Sequence, residues 1–120
     1  MTADWNQIKI HGEFLNFSEY DQNGDHVYHF TVGDDSYDLG FDVSQQCCEE
    51  CTLTTTPNIP FSTLQDISKM DIMYLNKDGG TFEVNFDSKY TITFSNIHNG
   101  YYPHSIWLNK NGKRWFYSSI

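Results

Sequence analysis

The stretch TFEVNFDSKYTITF, residues 81–94, decides the fold class. Phe82, Val84 and Phe86 alternate with Thr81, Glu83 and Asn85, and Tyr90, Ile92 and Phe94 alternate with Thr91 and Thr93. A period of two gives an extended chain one apolar and one polar face. The short link DSK leaves room only for a tight turn, so the two runs read as an antiparallel hairpin.

The same pattern extends outward in both directions. YDLGFDV (37–43) alternates strictly, with Tyr37, Leu39, Phe41 and Val43 expected inside and Asp38, Gly40 and Asp42 outside. HVYHFTV (26–32) does the same with Tyr28, Phe30 and Val32, and places His26 and His29 on opposite faces. DQNGD (21–25), GDDS (33–36) and NKDGG (76–80) supply turn residues, and the NG at 111–112 joins IWLNK to KRWFYSSI. Ile8 and Ile10 begin a first strand that Gly12 bends. ECTLTTT (50–56) is Thr-rich, as suits a strand.

Two prolines in TPNIP break the pattern before FSTLQDISKM (61–70). That segment predicts one short helix, capped by Ser62 with Gln65 three residues on, and with Phe61, Leu64 and Ile67 on its apolar side. The expectation is a single domain over 1–120, mainly β, with about eight or nine short antiparallel strands in a sandwich or a curled, barrel-like sheet.

Composition narrows the functional classes. Hydrophobic residues make up 38 % and aromatic residues 17 %, enough to build a core rather than a disordered chain. No apolar run approaches the roughly 20 residues that span a bilayer, and MTADWNQIKI has neither part of a secretory signal. The expected location is the cytoplasm. The net charge of −9 is uneven: residues 1–50 carry eleven acids against Lys9 alone. Phosphate contacts need Lys and Arg, so direct nucleic-acid binding is not expected. Asp34, Asp35, Asp38 and Asp42 predict an acidic face that docks on a basic partner; the alternative is that the acids serve solubility.

All three cysteines lie in SQQCCEEC (44–51). Cys48 and Cys51 form one C-x-x-C knuckle, with Cys47 beside it and no second knuckle; His98 or His104 would have to complete a zinc site. The simpler reading is thiols packed as small hydrophobes, with no metal and no cofactor. An odd, crowded set of thiols fits a reducing compartment rather than a disulfide framework.

Asp21, Asn23 and Asp25 resemble half a calcium loop, but Val32 stands where the bidentate Glu belongs, so a hairpin turn is expected. No G-x-S-x-G, phosphate loop or H-E-x-x-H is present. A thiol–imidazole pair, Cys48 with His98 or His104, is the one catalytic arrangement left open. The protein is therefore expected not to be an enzyme. In NIHNGYYPHS (96–105), Asn99 and Gly100 turn the chain and Pro103 restrains Tyr101 and Tyr102, so that one ring can pack while the other is presented to a ligand or partner.

Two of these motifs carry a resemblance. Gln46, Cys47, Cys48 and Glu49 are similar to part of a Q-D-C-C-E motif, and Asn99, Gly100, Tyr101 and Tyr102 to an S-N-G-Y-Y-S motif, in a family of small proteins of unknown function common in phage genomes and bacteria. Order and intervening hairpin are similar over roughly residues 26–108. Gln46 stands in place of the Asp, which weakens any role needing a carboxylate there, and Pro103 replaces the Ser. The resemblance implies a small β-rich domain in a phage or mobile-element setting. It also implies that Gln46, Cys47, Cys48, Glu49 and Gly100 are motifs of the fold, with one thiol buried and the next, beside Glu49, near the surface.

The function expected from all of this is a phage or mobile-element accessory protein that acts by binding. Its sharpest form is a counter-defence inhibitor, anti-CRISPR-like, docking on a basic host immune protein. The first alternative is a binder that sequesters a nucleotide signal, with Asn99, Tyr101 and Tyr102 on the base and Lys110, Lys113 and Arg114 on the phosphates. The second is a metal- or thiol-dependent protein.

Overall fold

A computed structural model gives the architecture and describes residues 5–44, 50–75, 80–97 and 104–119. The 81–94 hairpin pairs β7 (Thr81–Phe86) with β8 (Tyr90–Ile97) so that Phe82 faces Phe94, Val84 faces Ile92 and Phe86 faces Tyr90. Its turn places Asp87 and Ser88 at φ 55° and 56°. Asp tolerates that left-handed region better than most residues, and the Asp87 carboxylate is held by the Ser68 backbone N–H and hydroxyl. Asn23–Gly24 and Asn111–Gly112 turn two further hairpins with positive φ at both positions, as hairpin turns of this kind require.

The remaining strands are β1 (Lys9–His11), β2 (Phe14–Gln22), β3 (Asp25–Val32), β4 (Asp35–Asp42), β5 (Glu50–Thr56), β6 (Lys69–Leu75), β9 (Ser105–Lys110) and β10 (Lys113–Ser119). They make two antiparallel five-stranded sheets, ordered β1-β6-β7-β8-β5 and β10-β9-β4-β3-β2. Neither sheet closes on itself, so the sandwich holds and the barrel does not. Ten strands among the described residues slightly exceed the eight or nine expected, because the segment around Gly12 splits in two. Gly12 carries the chain from one sheet to the other, and a Cβ there would stand 2.6 Å from Val32 Cγ1.

The two inner faces meet through aromatic rings. Phe86 of the first sheet sits edge-on to Phe30 of the second at 5.6 Å, and Phe94 lies 5.0 Å from Phe41. Trp5, from a 3-10 turn at Trp5–Gln7, packs edge-on to Phe82 at 5.1 Å and lies 5.4 Å from Phe116. Aromatic pairs of this geometry add to the hydrophobic contribution of the area they bury.

The helix expected over 61–70 is not formed. Only Phe61–Thr63 makes a 3-10 turn, Leu64 is already extended at φ −67°, ψ 142°, and β6 begins at Lys69. Pro60 at the N-cap offers no side-chain acceptor, and a helix this short is marginal without support. The backbone is also claimed elsewhere. Ile67 O accepts from Phe14 N and Ser68 O from Gly12 N, which ties the segment to the β1–β2 bend. Phe61 and Ile67 are still buried, as separate plugs under a loop rather than as a helical stripe. Among the described residues no helix is long and apolar enough to cross a membrane.

Candidate functional site

The second sheet presents an outer face whose residues follow from the alternation of its strands. One register row crosses all five strands: Tyr20 opposite Val27, Val27 opposite Gly40, Gly40 opposite Trp107, and Trp107 opposite Tyr117. At Gly40 a Cβ would stand 2.2 Å from Trp107 Cε2 and 2.3 Å from Cζ2. The indole therefore lies flat over β4, and only a residue without a side chain fits beneath it. Its Nε1–H donates to Asp25 Oδ2 at 3.1 Å, fixing the ring across β4 toward β3. Val27 is fully buried although it stands on this outer face. Tyr20 and Tyr117 end the row, 43 % and 47 % exposed, enough for both rings to meet a partner.

Polar groups border the row. The Arg114 guanidinium lies 4.8 Å from the Tyr117 ring and 5.9 Å from that of Trp107. Asp38 bonds His29 Nδ1 at 2.8 Å, and its charge adds to burial in raising the Tyr20 phenol above its ordinary pKa. Asn109 Oδ1 is buried without a hydrogen-bond partner beside Asp25, Asp38, Trp107 and Arg114 in a hollow of about 320 Å³.

The four acids expected to form the docking face are distributed along β4. Asp34 is exposed in the β3–β4 turn. Asp35 accepts from Asn111 Nδ2 at 2.9 Å and lies 3.9 Å from Lys110 Nζ. Asp42 accepts from the Ser44 backbone N–H and hydroxyl at 3.1 and 2.6 Å. At about 3.4 Å per residue, Asp35 and Asp42 stand roughly 24 Å apart. The alternation that turns Asp38 and Asp42 outward puts Asp35, opposite the buried Val32, on the other side of the sheet, so the four acids do not form one patch. Gly40, expected outside, is on the outer face but covered by the indole.

A second concavity opens between the sheets. It is a cleft of about 880 Å³ walled by Glu19, His26 and Tyr28 on one side and by Leu53, Thr55 and Tyr90 on the other. Val43 belongs here: expected inside, it is 36 % exposed at the cleft because β4 ends one residue earlier, at Asp42. His26 bridges two carboxylates, Asp21 Oδ1 at 2.6 Å and Glu19 Oε2 at 3.3 Å, and stands edge-on to the Tyr28 ring at 4.9 Å. Asp21 thus stands in β2 beside the hairpin turn and orients an imidazole.

Burial first, then Tyr90, Glu19 and Asp21, push the Tyr28 phenol far above its ordinary pKa; burial also raises Tyr90. The folded chain holds these protons more tightly than the unfolded one. Their contribution to stability is therefore complete below the ordinary phenol value of about 10 and is lost as pH rises past it. Urea midpoints should hold up to that pH and then fall, while the tyrosinate absorbance of Tyr28→Phe and wild type should coincide until well into the alkaline range. A midpoint indifferent to alkali would contradict the burial of both phenols.

The thiols are only partly visible. Gln46, Cys47, Cys48 and Glu49 lie outside the described residues, as do His98, Asn99, Gly100, Tyr101, Tyr102 and Pro103. Cys51 Sγ stands 3.7 Å from His104 Nδ1, and that nitrogen donates to Asp42 O at 2.8 Å. A nitrogen that donates to a carbonyl carries its proton, so it cannot also serve Cys51 as a base. Among the described residues no three His, Cys, Asp or Glu are grouped to hold a metal ion.

Nor do the three basic residues share one face: Lys113 stands opposite Lys110 in register, but Arg114 does not join them. Arg114 faces outward over Trp107, whereas Lys110 lies 5.2 Å from the Trp115 ring and 5.9 Å from Tyr37 on the other side of the sheet. Sequence reasoning missed Trp107, Tyr20 and Tyr117. Their signal was an aromatic at the outward position of an alternating strand, as in IWLNK, where Ile106 and Leu108 face in. No family model, curated protein or solved structure matches the chain.

Proposed function

We propose that this protein is a non-enzymatic accessory protein of a phage or mobile element that works by binding. It docks the outer face of its second sheet on a basic surface of a host protein in the host cytoplasm, as a counter-defence inhibitor would. The observation that carries the reading is the row Tyr20–Val27–Gly40–Trp107–Tyr117 with Asp25, Asp38 and Asp42 beside it. Fixed aromatics give a large contact area at low entropic cost, and Tyr and Trp dominate protein interfaces. Three carboxylates against one guanidinium make the face negative, so it suits a basic surface and repels nucleic acid. The phage and counter-defence setting rests on the resemblance at Gln46–Glu49 and Asn99–Tyr102 alone.

Sequestration of a nucleotide is supported less well, because Lys110 and Arg114 diverge and, among the described residues, the lining of the larger cleft contains Glu19 but no Lys or Arg.

The test uses immobilised wild-type protein, an Asp34→Lys/Asp38→Lys variant and a Tyr20→Ala/Tyr117→Ala variant against bacterial host lysate. A basic protein should be retained by wild type, released by salt and lost from both variants. With that partner purified, the charge variant should slow association at least about tenfold, and the tyrosine variant should mainly speed dissociation. Equal retention by all three baits, or association indifferent to salt, would remove this face as the docking surface.

A further inference from the structure

The cleft between the sheets lies apart from the outer face and has its own chemistry. Its floor is built by Tyr28 and Tyr90, both nearly inaccessible, which are held in place by packing on Phe61 at 5.0 and 5.8 Å. Rings packed this way cannot stack on a ligand, so what they offer the cleft is their hydroxyl end. The Tyr90 hydroxyl donates to Ile59 O at 3.3 Å and is hydrogen-bonded with Thr55. One rim is apolar, with Val43 36 % and Ile59 41 % exposed beside Leu53 and Pro60. Large side chains left open to water beside a concavity are what an apolar ligand group would cover.

The other rim is acidic. Glu19 is in the lining, and Asp21 stands behind His26. Two carboxylates against one imidazole leave this rim negative in either protonation state of the ring. The imidazole takes one oxygen of each carboxylate. The same negative field acts on the phenols, since Glu19 opposes ionisation of both Tyr28 and Tyr90.

We propose that this cleft is a binding site for a small organic cation, an amine carrying an apolar group, with Glu19 receiving the ammonium and Val43, Leu53, Ile59 and Pro60 covering the apolar part. Among the described residues, the lining offers an anion no Lys or Arg. A neutral ligand of the same shape makes the apolar contact but leaves the carboxylate unmatched. The proposal stands independently of the docking face.

Three molecules of one shape separate these cases: phenethylamine, phenethyl alcohol and phenylacetate, titrated calorimetrically into the full chain at neutral pH. The amine should bind at least about tenfold more tightly than the alcohol, the gap a single partly desolvated charge pair supplies, and phenylacetate should not bind. Amide shifts on adding the amine should gather at His26, Thr55 and Ile59. Glu19→Gln, a half-exposed side chain whose loss spares the core, should bring the amine down to the level of the alcohol and leave the alcohol unchanged. Equal binding of amine and alcohol, preference for phenylacetate, no binding at millimolar concentration, or shifts confined to the outer sheet face would each overturn the proposal.

Discussion

Phe61→Ala is expected to cost about 3–5 kcal/mol, the usual range for emptying a buried phenylalanine site whose surroundings cannot collapse. Phe61 is fully buried and reaches five other rings: Phe17 at 5.2 Å, Tyr28 at 5.0 Å, Phe30 at 6.4 Å, Phe86 at 5.4 Å and Tyr90 at 5.8 Å. Those rings come from β2, β3, β7 and β8, so one side chain from a loop closes the space between both sheets. Three of these strands, β3, β7 and β8, are tied on both sides by ladder hydrogen bonds and have little freedom to move in and fill the gap. Phe61→Leu, which keeps most of the volume, should cost less than half as much. Guanidinium denaturation of the two variants decides the matter. A loss below about 1 kcal/mol for alanine would mean the loop sits on the sandwich without plugging it. Because Tyr28 and Tyr90 rest on this ring, the alanine variant should also disturb the cleft, whereas the outer face on the far side of the second sheet should keep its shape.

Phe61 also shows where sequence reasoning reaches its limit. Its burial was legible, since an apolar residue after two prolines has to go somewhere. Its conformation was not. Phe61, Leu64 and Ile67 fit a helical spacing, but helical hydrogen bonds would have to outcompete the pairing of Ile67 and Ser68 with the β1–β2 bend, and that bend is more than fifty residues away in sequence. The strands were legible for the opposite reason. In residues 81–94 the local alternation and the tertiary burial ask for the same thing, and every inward residue of that stretch is buried. The sandwich could not be told from a barrel in advance because closure depends on which edges pair, and alternation is silent about edges.

The candidate surfaces follow the same division. Outward positions of Asp38 and Asp42 can be read from the strand; their bonds to His29 and Ser44 cannot. Trp107 and Gly40 are 67 residues apart and meet only because β9 pairs with β4. The cleft needs Glu19 and His26 from one sheet and Thr55 and Tyr90 from the other, so it exists only once the layers are stacked.

The second large effect is expected at Gly40. In Gly40→Ala the new methyl would stand 2.2 Å from Trp107 Cε2 and 2.7 Å from Nε1, closer than non-bonded carbon and nitrogen allow. The backbone of β4 cannot retreat, because it is the middle strand of its sheet, paired with β3 on one side and β9 on the other. The indole must therefore lift. It then loses its bond to Asp25 Oδ2 and uncovers Val27, which is fully buried in the native protein. Overpacking of this kind costs about 1–3 kcal/mol, so the domain should still fold. The surface should not survive: the row from Tyr20 to Tyr117 is flat only while the indole lies on Gly40. If the outer sheet face docks a partner, Gly40→Ala should lower affinity at least about tenfold, mostly through faster dissociation. Trp107→Ala should weaken docking as well, and adding Gly40→Ala to it should bring little further loss, since the methyl then has nothing to displace. Additive losses in this pair, measured by surface plasmon resonance alongside denaturation, would mean that Gly40 matters to the sheet for some reason other than the indole.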